Sequence, residues 1–191
     1  MTGLTRGITM ARSKWSWFSS WLCVAVVTLN LATGTTGHAN TLLQTGAVVE
    51  VDQPTVNQIM DVFYKADAAI AEENLEGIMA LHATRYNYHG LKRADIRRIW
   101  SDLFKEYRDL GGVHFFSKIA KVGSGSNAII EVTCTGSLSG LSKTSGLRVP
   151  IDSWYLGVHY LTLEGGVWRI SGNVGETPRV LPFGTAPHPL F

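Results

Sequence analysis

The sequence is poor in cysteine, carries no bulk charge of either sign, and has no uninterrupted apolar run long enough to cross a membrane. Of its two cysteines among 191 residues, Cys23 lies in an N-terminal apolar stretch. That leaves Cys134 alone in the rest of the chain, so no internal disulfide can staple the fold and a packed core must hold it. The simplest reading of Cys134 is a small buried strand residue. Charged residues make up 17% of the chain, with 17 basic and 15 acidic side chains. Without Arg6, Arg12 and Lys14, which precede the apolar stretch, the balance is a net of −1. A general electrostatic footprint for nucleic acid is thereby excluded. Histidines at metal-ligand spacing, a nucleophile elbow and a phosphate loop are also missing, so neither metal nor cofactor is expected. The Gly123-Ser-Gly-Ser-Asn127 run joins two strand-like segments and reads as a turn.

What is present begins with a leader. Met10 to Lys14 is short and basic, Trp15 to Leu31 is free of charge, and a small-polar run leads to Ala39. These are the three parts of a secretion signal, with cleavage expected after Ala39 and Gly37 at the −3 position. Ser16, Ser19, Ser20, Thr28 and Asn30 dilute the stretch below the roughly 20 strongly apolar residues of a membrane span. The protein is therefore expected to be exported, periplasmic or extracellular, and to meet a membrane only if the leader is retained. The chain divides into a signal (1–39), an extended lead-in (40–53), one α+β domain (54–175) and an irregular tail (176–191) rich in proline.

Asp52-Gln53-Pro54 reads as a helix start, followed by Val56, Ile59, Met60, Phe63, Ala66 and Ile70 on one helical face to about Glu73. Asn74 breaks the pattern, and Leu75 to His82 continue as a second, short helix. Arg85 to His89 alternates and reads as a short strand. Lys92 to Asp109 forms the clearest helix, with Ile96, Ile99, Trp100, Leu103, Phe104 and Tyr107 as its stripe and Gly111-Gly112 as its stop. Four strands follow: Val113–Val122, Ala128–Ser137, Ile151–Glu164 and Val167–Val174. A Gly/Ser-rich connection spans Leu138–Val149, and a tight Gly165-Gly166 turn joins the last two strands. Helices followed by strands, without alternation, give an α+β domain: three N-terminal helices on a curved antiparallel sheet, a cone with a pocket at its mouth.

This order resembles the nuclear transport factor 2-like superfamily, a cystatin-like α+β cone. Ile70–Ala83 is similar to the family's junction between its first helices, Arg85–Trp100 to its short strand and third helix, and Val158–Ser171 to its closing hairpin. The resemblance covers most of Pro54–Val174. It implies a pocketed cone and a dimer through the open sheet face. Ketosteroid isomerases of this kind place an aspartate base at the end of the short strand and a tyrosine on the first helix. Those positions fall here at Gly90, beside His89, and near Ala66, two residues from Tyr64, so that chemistry does not carry over. Scytalone dehydratases set paired histidines with tyrosine and aspartate around the pocket, an arrangement that His89, His159, Tyr64 and Asp152 loosely imitate.

Two functions remain open on these residues. The first is a non-catalytic exported domain that binds a small apolar molecule, walled by Tyr64, Tyr88, Trp100, Phe116, Trp154, Tyr155 and Trp168, or pairs through its sheet face. The second is a lyase or isomerase using His89 or His159 as proton shuttle with Asp152 or a tyrosine. His159 alternates on one strand face with Tyr155 and Gly157, while Asp152 and Trp154 lie on the other, and the pattern leaves open which face turns inward. His82 and His114 read as lone histidines beside apolar neighbours.

Overall fold

The computed structural model describes residues 40–88, 90–125 and 128–172. The leader, His89 and the tail from 173 onward lie outside the described residues. Helix α1 (Gln53–Ala71) begins where the sequence places it, because the Asp52 carboxylate accepts the Thr55 N–H at 2.9 Å and Pro54 sits in the first turn. Its apolar stripe, from Val56 to Ile70, is buried. Glu73, in the left-handed region, ends the turn, and Asn74 caps α2 (Leu75–Leu81) by accepting the Gly77 N–H. Strand β2 (His82–Tyr88) starts three residues before the expected Arg85. His82 belongs to it rather than to the helix: its backbone is extended, and its ring Nδ1 donates back to Ile78 O at 2.9 Å, satisfying a helix-end carbonyl.

After the two-residue strand β3 (Leu91–Lys92), helix α3 spans Arg93–Glu106, not reaching Asp109. The chain turns straight into β4 (Tyr107–Val122), where Tyr107 and Arg108 pair with Ser142 and Leu141 of β5 (Ile129–Ser142). Gly111-Gly112, the expected helix stop, is instead an inner segment of β4, just past a bulge at which Asp109 takes a left-handed φ. Strand pairing and the seat of Tyr107 against the core win here over helical propensity. The expected connection from Leu138 is also mostly strand: β5 runs to Ser142, β6 (Arg148–Glu164) begins after a short turn, and Leu138 is fully buried. Gly165 and Gly166, both with positive φ, turn β6 into β7 (Val167–Gly172).

Among the described residues, seven strands form one sheet in the order β1 (Asn40–Glu50), β4, β5, β6, β7, β2, β3. Its central four are antiparallel, as expected, and the three helices complete the α+β architecture. Two parallel pairings flank the centre. β1, read in the sequence only as an extended lead-in, lies along β4, and β2 lies along β7. Two bulges in β4, at Asp109-Leu110 and Ser117, and two in β6, at Ile151 and Tyr155-Leu156, bend the sheet around α1. Phe63 of α1 meets the edge of Phe116 at 4.7 Å between ring centres, fixing helix to sheet. Gly136 lies at the bend. A side chain there would collide with Val113 O and with the Trp154 ring, so only glycine lets Trp154 lie flat across the sheet.

Candidate functional site

The Tyr155-Leu156 bulge in β6 decides which face turns inward. Cys134 pairs with Gly157 and Gly136 with Trp154, so Tyr155 and Leu156 together oppose Thr135. Leu156 takes a left-handed φ of 51° and donates its N–H to Thr135 Oγ1 at 3.1 Å. The extra residue reverses the alternation. Trp154 before the bulge and His159 after it are consequently both buried, although their sequence parity sets them on opposite faces. Asp152 stands on the row of Gly112 and Leu138, half-buried, and its Oδ1 accepts the Ser153 N–H.

Inside the bend these strands assemble a polar cluster. The Trp154 indole N–H donates to Cys134 Sγ at 2.9 Å, and the same sulfur lies 3.2 Å from His159 Nε2. Burial pushes the Cys134 thiol up to about 12, against the opposing pull of the Trp154 N–H. The thiol therefore stays protonated and fully buried, which suits a structural residue and not a nucleophile. The His114 ring lies tilted against those of Trp154 and Phe63, with centres 5.1 and 5.4 Å away.

Next to His114 lies a buried carboxyl that sequence reasoning missed. Asp67 of α1 is only 7% exposed. Its Oδ2 accepts the Thr41 hydroxyl at 2.9 Å, while its Oδ1 has no hydrogen-bond partner among the described residues. Desolvation raises the carboxyl to about 6, with the Thr41 hydrogen bond pulling the other way. Asp67 Oδ1 and His114 Nε2 stand 3.8 and 3.5 Å from the point where a Cβ on Gly112 would sit, so the two groups flank a gap of about methyl size. Thr41 is in register with His114, which brings β1, α1 and β4 together at this one point. An Asp–His pair across such a gap has the elements to hold a hydroxyl or carbonyl and to exchange a proton with it. The signal for Asp67 was in the sequence: it lies four residues after Phe63 and three before Ile70, on the buried stripe itself.

The other expected site residues scatter. Tyr64 and Tyr155 stand on the outside, 51% and 76% exposed, and line no interior wall. Trp100 and Phe116 are sealed in the core. Tyr88 is half-buried against that core. Trp168 lies elsewhere, on a cavity of about 350 Å³ with Val51, Asp52, Lys121, Ile130 and Leu163, and its indole donates to Gln58 Oε1. His89 falls outside the described residues. His82, with its pKa lowered to about 4 by burial, is neutral and bonded to α2. The structure therefore brings together His159, Trp154 and Phe116, adds Asp67, His114, Cys134 and Thr41, and leaves Tyr64, Tyr155 and Trp168 apart. Among the described residues, no three His, Cys, Asp or Glu side chains group closely enough to hold a metal ion.

No protein-family model matches the chain, and no curated protein does. Solved structures do. A conserved protein from Planctomyces limnophilus is 10% identical, with a TM-score of 0.53 over 63% of this chain and 94% of that one. The protein Aln2 from a Streptomyces species is 9% identical, with a TM-score of 0.50 over 64% and 90%. A nuclear transport factor 2-like protein of unknown function from Pseudomonas putida also matches, 10% identical with a TM-score of 0.39 over 63% and 84%. At these identities the likeness concerns the fold alone. What this chain shares with them is an α+β arrangement of helices on a bent sheet.

Proposed function

We propose that this is an exported, non-catalytic cone domain that binds a small, mostly apolar molecule carrying one polar group, which it seats between Asp67 and His114. The observation that carries the reading is the Asp67 carboxyl: nine-tenths buried, with one oxygen lacking a partner among the described residues. Burying a carboxyl without full compensation costs stability, and a protein that keeps one inside an apolar cone usually uses it. Phe63, Phe116 and Trp154 supply the apolar surroundings.

The test is extraction of small molecules from the protein purified out of an exporting host, for the wild type and for Asp67→Asn, with identification by mass spectrometry. A molecule held near one per chain in the wild type and lost from the variant supports the reading. Its absence from both, or equal retention by both, overturns it.

A second reading, a lyase or isomerase working by acid–base chemistry, is favoured by one feature. Asp67 titrates at about 6, so near neutral pH it is present in both protonation states beside an imidazole. On the outer side of the sheet, Leu42, Phe115, Leu156 and Val158 are exposed. We assign this apolar patch to a second copy of the chain. Sedimentation at micromolar concentration tests that assignment, a dimer supporting it and a monomer contradicting it.

A further inference from the structure

Strand β1 buries the wrong residue for a strand held by packing. Its Leu42, Leu43, Val48 and Val49 are 40 to 51% exposed, while its single buried side chain is the hydroxyl-bearing Thr41. An edge strand that docks through the hydrophobic effect would present its leucines and valines inward. Here a polar group is taken out of water and given one partner, Asp67 Oδ2, at 2.9 Å. That hydrogen bond spans 26 residues of sequence and joins β1 to the C-terminal third of α1's buried face. It occupies one carboxylate oxygen and leaves the other turned toward the gap beside Gly112.

We propose that Thr41 is a positioning residue of the Asp67 site: the docking of β1 fixes the carboxyl so that Oδ1 faces the gap shared with His114. The proposal rests on the reading of Asp67 as the ligand-seating group. It makes β1, the first segment of the domain, part of the site and not a passive edge. In-register pairing of Thr41 with His114 means that the strand places both flanks of the gap at once. Of the titratable groups on the packed elements, His114 on β4 flanks the same gap as Asp67, and His159 on β6 lies against the Phe63 ring.

The test follows the Asp67 carboxyl by carbon-13 NMR titration of the purified protein, its signal assigned by its loss in Asp67→Asn. A hydroxyl that donates to a carboxylate favours the charged form. Replacing it by an isosteric methyl, Thr41→Val, should raise the Asp67 midpoint by about half a pH unit or more. Thr41→Ser, which keeps the donor, should restore the wild-type midpoint, and a merely structural role for Thr41 would not separate these two. If Thr41→Val fails to fold, Thr41→Ser against Thr41→Ala makes the same comparison. Equal midpoints in the variants with and without the hydroxyl overturn the proposal. The titration needs no ligand, so its failure is distinct from a failure of the extraction experiment. A midpoint that follows Thr41 while Asp67→Asn keeps its bound molecule sinks the binding reading, and with it the site that Thr41 positions, and leaves only the effect of the Thr41 hydrogen bond on the carboxyl.

Discussion

The two halves of the same interior are built to different rules. Toward the β6–β7 hairpin, Ile119, Ile130, Val132, Leu161 and Ile170 close most of the space with aliphatic side chains, each fully or almost fully buried, with His82 beside Ile170 and His159 beside Val132 as buried polar neighbours. Toward the start of β4, the same sheet encloses Thr41, Asp67, His114 and Trp154, and the filling is polar and aromatic. Aliphatic filling gives stability without polar cost. Polar filling gives less and must satisfy every donor and acceptor, which Asp67 Oδ1 does not achieve among the described residues. The contrast teaches that the first half holds the domain together and the second is shaped by something else, for which ligand seating is the proposal made above.

Substitutions can break or sharpen that contrast. The largest effect is expected at the boundary row, where Trp154 crosses the bend. Gly136→Ala forces a methyl onto Val113 O and the indole, and should cost more than about 4 kcal/mol, visible as loss of soluble folded protein or of the cooperative thermal transition. In the aliphatic half, Leu161→Ala should cost about 3 kcal/mol in urea unfolding, as expected for a fully buried leucine that leaves a cavity. In the polar half, Gly112→Ala meets only ordinary contacts and should change stability by less than about 1 kcal/mol. The same methyl fills the gap between Asp67 and His114, so it should release a bound molecule while the urea midpoint hardly moves. Large destabilisation by Gly112→Ala would remove the distinction between the halves.

Much of the aliphatic half was legible in the sequence, because periodicity reports burial. The α1 stripe, the capping Asp52 and Asn74, and the Gly165-Gly166 hairpin follow directly from residue types and spacing. The polar half was legible only in part. Asp67 lies on the α1 stripe, but a helix reading that counts apolar residues passes over a carboxylate there. The partnership of Asp67 with Thr41 spans two elements and is set by the parallel β1–β4 pairing, which local pattern does not encode. The β6 bulge rests on Leu156 in a left-handed conformation, a choice that leucine's own preference argues against and that only tertiary context imposes. Without the bulge, Trp154 and His159 cannot both be assigned inward. The α3 boundary was missed for a similar reason: Gly111-Gly112 resembles a helix stop, but serves as strand beside Leu138 and Ser139.

The most direct test of the account is urea unfolding of the wild type and Asp67→Asn at pH 8 and at pH 4. Asp67 has its folded value raised to about 6 from an ordinary 3.8, so the folded state holds this proton more tightly than the unfolded chain does. Stability contributed by the proton is present at low pH and is lost as pH rises through about 6. Asparagine carries no such charge. The variant should therefore be more stable than the wild type at pH 8 by about 2 kcal/mol, the shift discounted for the carboxyl's residual exposure, and the difference should nearly vanish at pH 4. A variant that is equally or less stable at pH 8 would contradict a buried, strained carboxyl at the centre of this site.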